Sequence, residues 1–91
     1  MDMHNPAHPG DVLPGWIEGL SQSEVAEALG ISRVTLSRIV NGHAGISADV
    51  DLRLAEALGT NPGFWIAMQM QYDLAQARMR KRPKVRPLRA A

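Results

Sequence analysis

At 91 residues the chain is one domain with room for a modest core. It has no cysteine, which excludes a disulfide framework, a zinc finger and a thiol nucleophile. Its formal net charge of +1 conceals an asymmetry: residues 1–77 hold three basic and all nine acidic side chains, a net of −6, whereas residues 78–91 hold seven basic ones and no acid. No apolar run approaches the roughly 18 residues of a membrane span, and the N-terminus lacks the basic-then-apolar order of a signal peptide. A soluble cytoplasmic protein without a membrane partner is expected.

The predicted elements are five helices and no strand, an all-α fold. Residues 1–8 read as irregular up to Pro9, which suits a first helical position. Helix 1 lies within residues 9–19 and buries Val12, Leu13, Trp16 and Ile17. Pro14 costs about 3 kcal/mol in a helix interior, so this helix is short, late-starting or kinked. Helix 2 opens on Ser21 and Glu24, a capping-box pair, and closes at Leu29 before Gly30. Ser32 caps helix 3, which runs from Arg33 to Val40 and stops at Asn41-Gly42. Ser47 caps helix 4 at residues 48–58, with Val50, Leu54, Ala57 and Leu58 as its apolar stripe and Gly59 as its end.

Asn61-Pro62 reads as cap and first position of helix 5, which spans residues 62–82 within a domain of residues 9–82. Trp65, Met68, Tyr72, Ala75 and Met79 repeat at three-four spacing like a coiled-coil seam. Phe64, Ile66, Met70 and Leu74 add apolar surface elsewhere on the helix. A helix apolar on more than one face buries more than one face. Phe64, Trp65 and Met68 can close the monomer core, and Met68, Tyr72, Ala75 and Met79 are assigned to contact with a second copy, a homodimer. Pro83 and Pro87 end the helix, leaving residues 83–91 as a basic disordered tail. That tail is either a phosphate-seeking arm or a solvated end that aids solubility.

Residues 22–41 carry the functional signal. Val25, Ala26 and Leu29 line the inner face of helix 2, and Ile31 plugs the corner after Gly30. Leu36 and Ile39 then recur at helical spacing, which leaves Arg33, Val34, Thr35, Ser37 and Arg38 outside. Any one of these features also fits an ordinary helical hairpin in a bundle. Together they describe a helix-turn-helix, whose second helix enters the major groove of double-stranded DNA.

HPGD at 8–11, LSQSEVAEALGIS at 20–32, SRIVNGHAGISADVDLRLAEALGTNPGFW at 37–65 and QYDLA at 71–75 resemble the HigA antitoxins, of the Cro/repressor-type helix-turn-helix superfamily. The resemblance spans residues 8 to about 77. It implies a dimeric five-helix domain that binds a palindromic operator, represses its own operon and neutralises a partner toxin, a small messenger-RNA ribonuclease. Two departures stand out: VLPGWIEG is short for the family, and Asp51 stands where a small apolar residue is more usual.

Carried over residue by residue, Gln22 lies at the start of helix 2, where free amides can hold a phosphate. Arg33 and Arg38 are long enough for a bidentate contact to guanine, or can grip phosphate instead. Val34 offers an apolar surface to a thymine methyl. Thr35 and Ser37 can reach base or backbone, and Ser32 is a cap first and a phosphate contact second. Asp49, Asp51, Glu56 and Asp73 lie off the recognition helix, where they could meet a basic toxin.

No enzyme, metal or cofactor is expected. His4 and His8 are four apart, but in a proline-broken segment with no third ligand, and His43 reads as a polar turn residue. No glycine-rich phosphate loop or H-E-x-x-H occurs. The remaining alternatives are a stand-alone repressor with no toxin and a protein-interaction module without DNA binding.

Overall fold

The computed structural model describes residues 5–89. Among them are five helices and no strand: α1 Pro9–Trp16, α2 Gln22–Leu29, α3 Arg33–Val40, α4 Ala48–Leu58 and α5 Phe64–Met79. Leu13 of α1, Leu36 of α3, Leu54 of α4 and Trp65 of α5 meet in one core, closed by Val25, Ala26 and Leu29 of α2 and by Ile39. Each helix gives that core one stripe, and the N-terminal ends of α2, α3 and α4 are satisfied locally. Ser21, Ser32 and Ser47 each accept the third-position amide of the helix that follows, a cap that contributes about 1 kcal/mol. Gly30 and Gly59 close α2 and α4 in left-handed conformation.

Helix α1 is short, as Pro14 requires, and ends at Trp16. Two expected core positions differ. Trp16 is 45% exposed, because the helix ends there and its ring lies edge-on against Phe64 and Trp65 at the surface. Ala57 of α4 is exposed too, and the α4 stripe rests on Leu54, with Val50 and Leu58 half-buried.

Helix α5 departs furthest from expectation. Asn61-Pro62 forms a turn, closed by Phe64 N–H donating to the Asn61 carbonyl at 3.0 Å, and the helix begins two residues late, at Phe64. No local side chain caps it. Asp51 of α4 does so instead: its carboxylate accepts Gly63 N–H at 2.6 Å, Trp65 N–H at 2.8 Å and Ile66 N–H at 3.1 Å. The helix stops at Met79 rather than residue 82, with Arg80 already extended. Pro83 pushes Arg82 out of helical space, and the like charges at Arg78 and Arg82 disfavour another turn.

The expected dimer seam turns inward. Met68 packs against the core, Ala75 is buried, and the Tyr72 ring stands edge-on to His8 at 4.9 Å. Met79 alone of that set is strongly exposed. Phe64, expected to help close the core, is 40% exposed, and the other apolar residues left outside are Met70, 58% exposed, and Leu74, four apart and in line with half-buried Ile66. Three-four spacing on a helix apolar all round cannot tell which stripe faces home. The described tail residues 80–89 carry no helix and are exposed. Residues 1–4 of the irregular N-terminus, His4 among them, and the last two tail residues lie outside the described part.

Candidate nucleic-acid interface

The turn between α2 and α3 is fixed from both sides. Gly30 takes φ 70° and ψ 31°, and Ile31 N–H returns to the Ala26 carbonyl at 3.1 Å. From α4, Arg53 donates to the Leu29 carbonyl at 2.7 Å and the Gly30 carbonyl at 3.2 Å, while its Nε pairs with Asp49 at 2.8 Å. A cation at a helix C-terminus answers unpaired carbonyls. Arg53 is therefore committed to the fold.

On α3, Leu36 and Ile39 face inward, so Arg33, Val34, Thr35 and Arg38 are held on the exposed side, with Val34 69% exposed. Gln22, Arg33, Val34, Ser37 and Arg38 line one shallow surface groove. Five of the seven expected DNA-contact residues thus share one face. Ser32 and Thr35 are engaged with each other: Ser32 Oγ accepts Thr35 N–H at 3.0 Å and donates to Thr35 Oγ1 at 2.9 Å. Ser37 Oγ accepts from Asn41 Nδ2 at 3.2 Å, and Arg38 Nη2 donates to the His43 carbonyl at 3.0 Å. Arg38 keeps its remaining donors for a ligand, whereas Arg33 makes no side-chain hydrogen bond among the described residues. At α2, Ser21 N–H donates to Glu24, and Glu24 N–H to Ser21 Oγ. The Ser21 backbone amide, then its side chain, hold the Glu24 carboxyl below the usual carboxylate value. The amides of Gln22 and Ser23 remain the ones open to a phosphate.

Three supports for this face escaped sequence reasoning. His8 caps α1, its Nδ1 accepting Gly10 N–H at 2.8 Å. Gly10 lies against the Ile39 carbonyl at the end of the recognition helix, where a Cβ would overlap that oxygen. Gln69 of α5, 8% exposed, accepts Ile46 N–H at 2.9 Å and donates to Asp73 at 3.0 Å, pinning the loop that follows α3. The HPG run at 8–10 was a visible signal whose reason lies in packing. Gln69 gave none. His8 is occupied as a cap, and no group of three or more potential metal ligands forms among the described residues. No described helix is long and apolar enough to cross a membrane.

Residues 18–65 match the family model described as helix-turn-helix. The chain is 42% identical over 89 residues to virulence-associated protein A' of Dichelobacter nodosus, covering 94% of this chain and 77% of that protein. An addiction module antidote protein of a HigA family from Coxiella burnetii superposes with TM-score 0.75 at 38% identity, over 80% of this chain and 83% of that one. The Pseudomonas aeruginosa antitoxin HigA, solved with the higBA promoter, gives TM-score 0.75 at 37% identity over 80% and 83%.

Proposed function

The chain belongs to the helix-turn-helix family and, within it, to the HigA-type antitoxins, DNA-binding regulators rather than enzymes, and on that premise we propose that it binds its own operator as a dimer, represses its operon and neutralises a toxin encoded beside it. The observation that carries the DNA reading is the shared groove of Gln22, Arg33, Val34, Ser37 and Arg38 on the exposed side of α3. That is the side-chain mixture a major groove requires: long cations for guanine, an apolar surface for thymine methyl and an amide for backbone. Mobility shift on the DNA upstream of the gene tests it, with retention of a discrete species expected and no shift refuting it.

Dimerisation is supported by a shortage and a surplus. Two arginines on one face hold a half-site weakly, and two linked half-sites multiply the affinity. Met70 and Leu74, in line with half-buried Ile66, meanwhile form an apolar strip exposed among the described residues, and such a strip suits the same strip of a second copy about a two-fold axis.

Support for a toxin partner comes from charge. The body's net of −6 complements the positive field a ribonuclease needs for its substrate. The acids available differ from the sequence expectation. Asp51 is 3% exposed and occupied as the α5 cap, so it is withdrawn from the toxin set. Asp49 is paired with Arg53 and Asp73 holds Gln69, yet both remain exposed, as does Glu56. Co-expression separates the possibilities: the neighbouring gene should arrest growth alone and become harmless with this protein. An innocuous neighbour that does not co-purify leaves a plain regulator.

A further inference from the structure

The body has few cations to give to DNA. Of its three arginines, Arg53 is tied to the Leu29 and Gly30 carbonyls and to Asp49. Arg38 shares its guanidinium with the His43 carbonyl, and Arg33 is the uncommitted one among the described residues. Against them stand nine carboxylates. Duplex DNA presents one negative charge per roughly 1.7 Å of axis, so the body alone is repelled by the polymer its recognition helix is shaped to read.

The missing charge lies just beyond α5. Arg80, Lys81, Arg82, Lys84, Arg86 and Arg89 are all exposed, on non-helical chain with no acid among them. Pro83 and Pro87 keep that segment extended and its cations spaced out. Its root is tied to the C-terminal end of the recognition helix. The Tyr72 ring of α5 stands edge-on to His8, His8 caps α1, and Gly10 of α1 touches Ile39 at the end of α3. One turn earlier, Gln69 holds Ile46 of the loop that follows α3. Met79 is seven residues past Tyr72, about 10 Å along the helix. From there residues 80–89 reach up to about 30 Å when extended. The end of the recognition helix and the duplex beside it are within that reach.

We propose that residues 80–89 are a second DNA-binding element, an arm that lies on the phosphodiester backbone flanking the half-site and supplies the sequence-independent attraction while α3 reads bases. The inference rests on the operator reading for its geometry, yet it makes a separate claim about charge. If all six cations neutralise phosphates, they alone make affinity fall about 10³-fold between about 50 and 200 mM salt.

The test keeps the full chain and replaces the six cations with glutamine (R80Q, K81Q, R82Q, K84Q, R86Q, R89Q). Fluorescence anisotropy is measured on the upstream duplex and on a scrambled duplex across that salt range, with circular dichroism as the check on folding. The arm predicts a salt slope shallower by about 0.9 for each lost contact, up to about 5 per protomer when all six contacts are lost. It also predicts equal loss of affinity on both duplexes, so that the operator-to-scrambled ratio holds. An unchanged slope on the scrambled duplex overturns the proposal, as does a collapse of the ratio, which would make the segment a reader of bases. A parent chain without operator preference would strike the recognition-helix reading instead, because the scrambled duplex still measures the arm.

Discussion

Replacing Asp51 with alanine should be the most destructive single change off the recognition helix. The carboxylate accepts three amides, those of Gly63, Trp65 and Ile66, at 2.6, 2.8 and 3.1 Å. Trp65 is fully buried, so its amide cannot turn to water once the acceptor is gone. A buried donor left unsatisfied costs about 1–3 kcal/mol, and the loss of a helix cap costs about 0.5–2 kcal/mol. The two together give roughly 2–5 kcal/mol, a large fraction of the stability of a domain this size. At about 4–8 °C of Tm per kcal/mol, thermal melting followed by circular dichroism should drop by at least about 8 °C. Asp51→Asn keeps one acceptor oxygen for Trp65 and Ile66 while turning an N–H toward Gly63, and should lose about half as much. A change below about 0.5 kcal/mol in Asp51→Ala would refute the assignment of this carboxylate as the cap of α5. Asp51→Asn, where folded, should also retain a co-purifying toxin, since the side chain does not face outward.

Gly10→Ala should cost at least about 2 kcal/mol by overlap with the Ile39 carbonyl, measured in urea, and weaken operator binding by displacing the end of α3. Arg33→Ala and Arg38→Ala should each cost roughly 1–3 kcal/mol per half-site and relax specificity at one base position; uniform weakening on every sequence would make them phosphate contacts. Met70→Glu or Leu74→Glu should give folded monomers in sedimentation with weaker operator binding. Dimers that persist in both would clear this face of the role.

The helix-turn-helix was legible because its determinants are local. Ser21 with Glu24, Gly30, and Ser32 with Thr35 act within one to three residues of the ends they fix, and the spacing of Leu36 and Ile39 sets which side of α3 faces out. Long-range contacts were not legible. Asp51 reaches 12 to 15 residues ahead to cap α5, and it moved the start of that helix past an Asn-Pro pair that locally looks like a beginning. The departure from the family's apolar habit at Asp51 was visible, but the buried amides that explain it were not. Nothing local to Arg53 signals its 23- and 24-residue reach back to the α2 terminus. On α5 the three-four pattern pointed to a seam without a direction, since Trp65 and Met68 pack in the home core, Tyr72 meets His8, Ala75 is buried, and Met70 and Leu74 lie outside.

Hydroxyl-radical footprinting of the full chain on the DNA upstream of its gene tests the central claim most directly. Two equivalent recognition helices predict protection of an inverted repeat whose half-site centres lie about one helical turn, roughly 34 Å, apart. Protection of both halves should disappear together in Arg33→Ala. A single asymmetric half-site protected at full affinity, or protection indifferent to Arg33, would contradict the account.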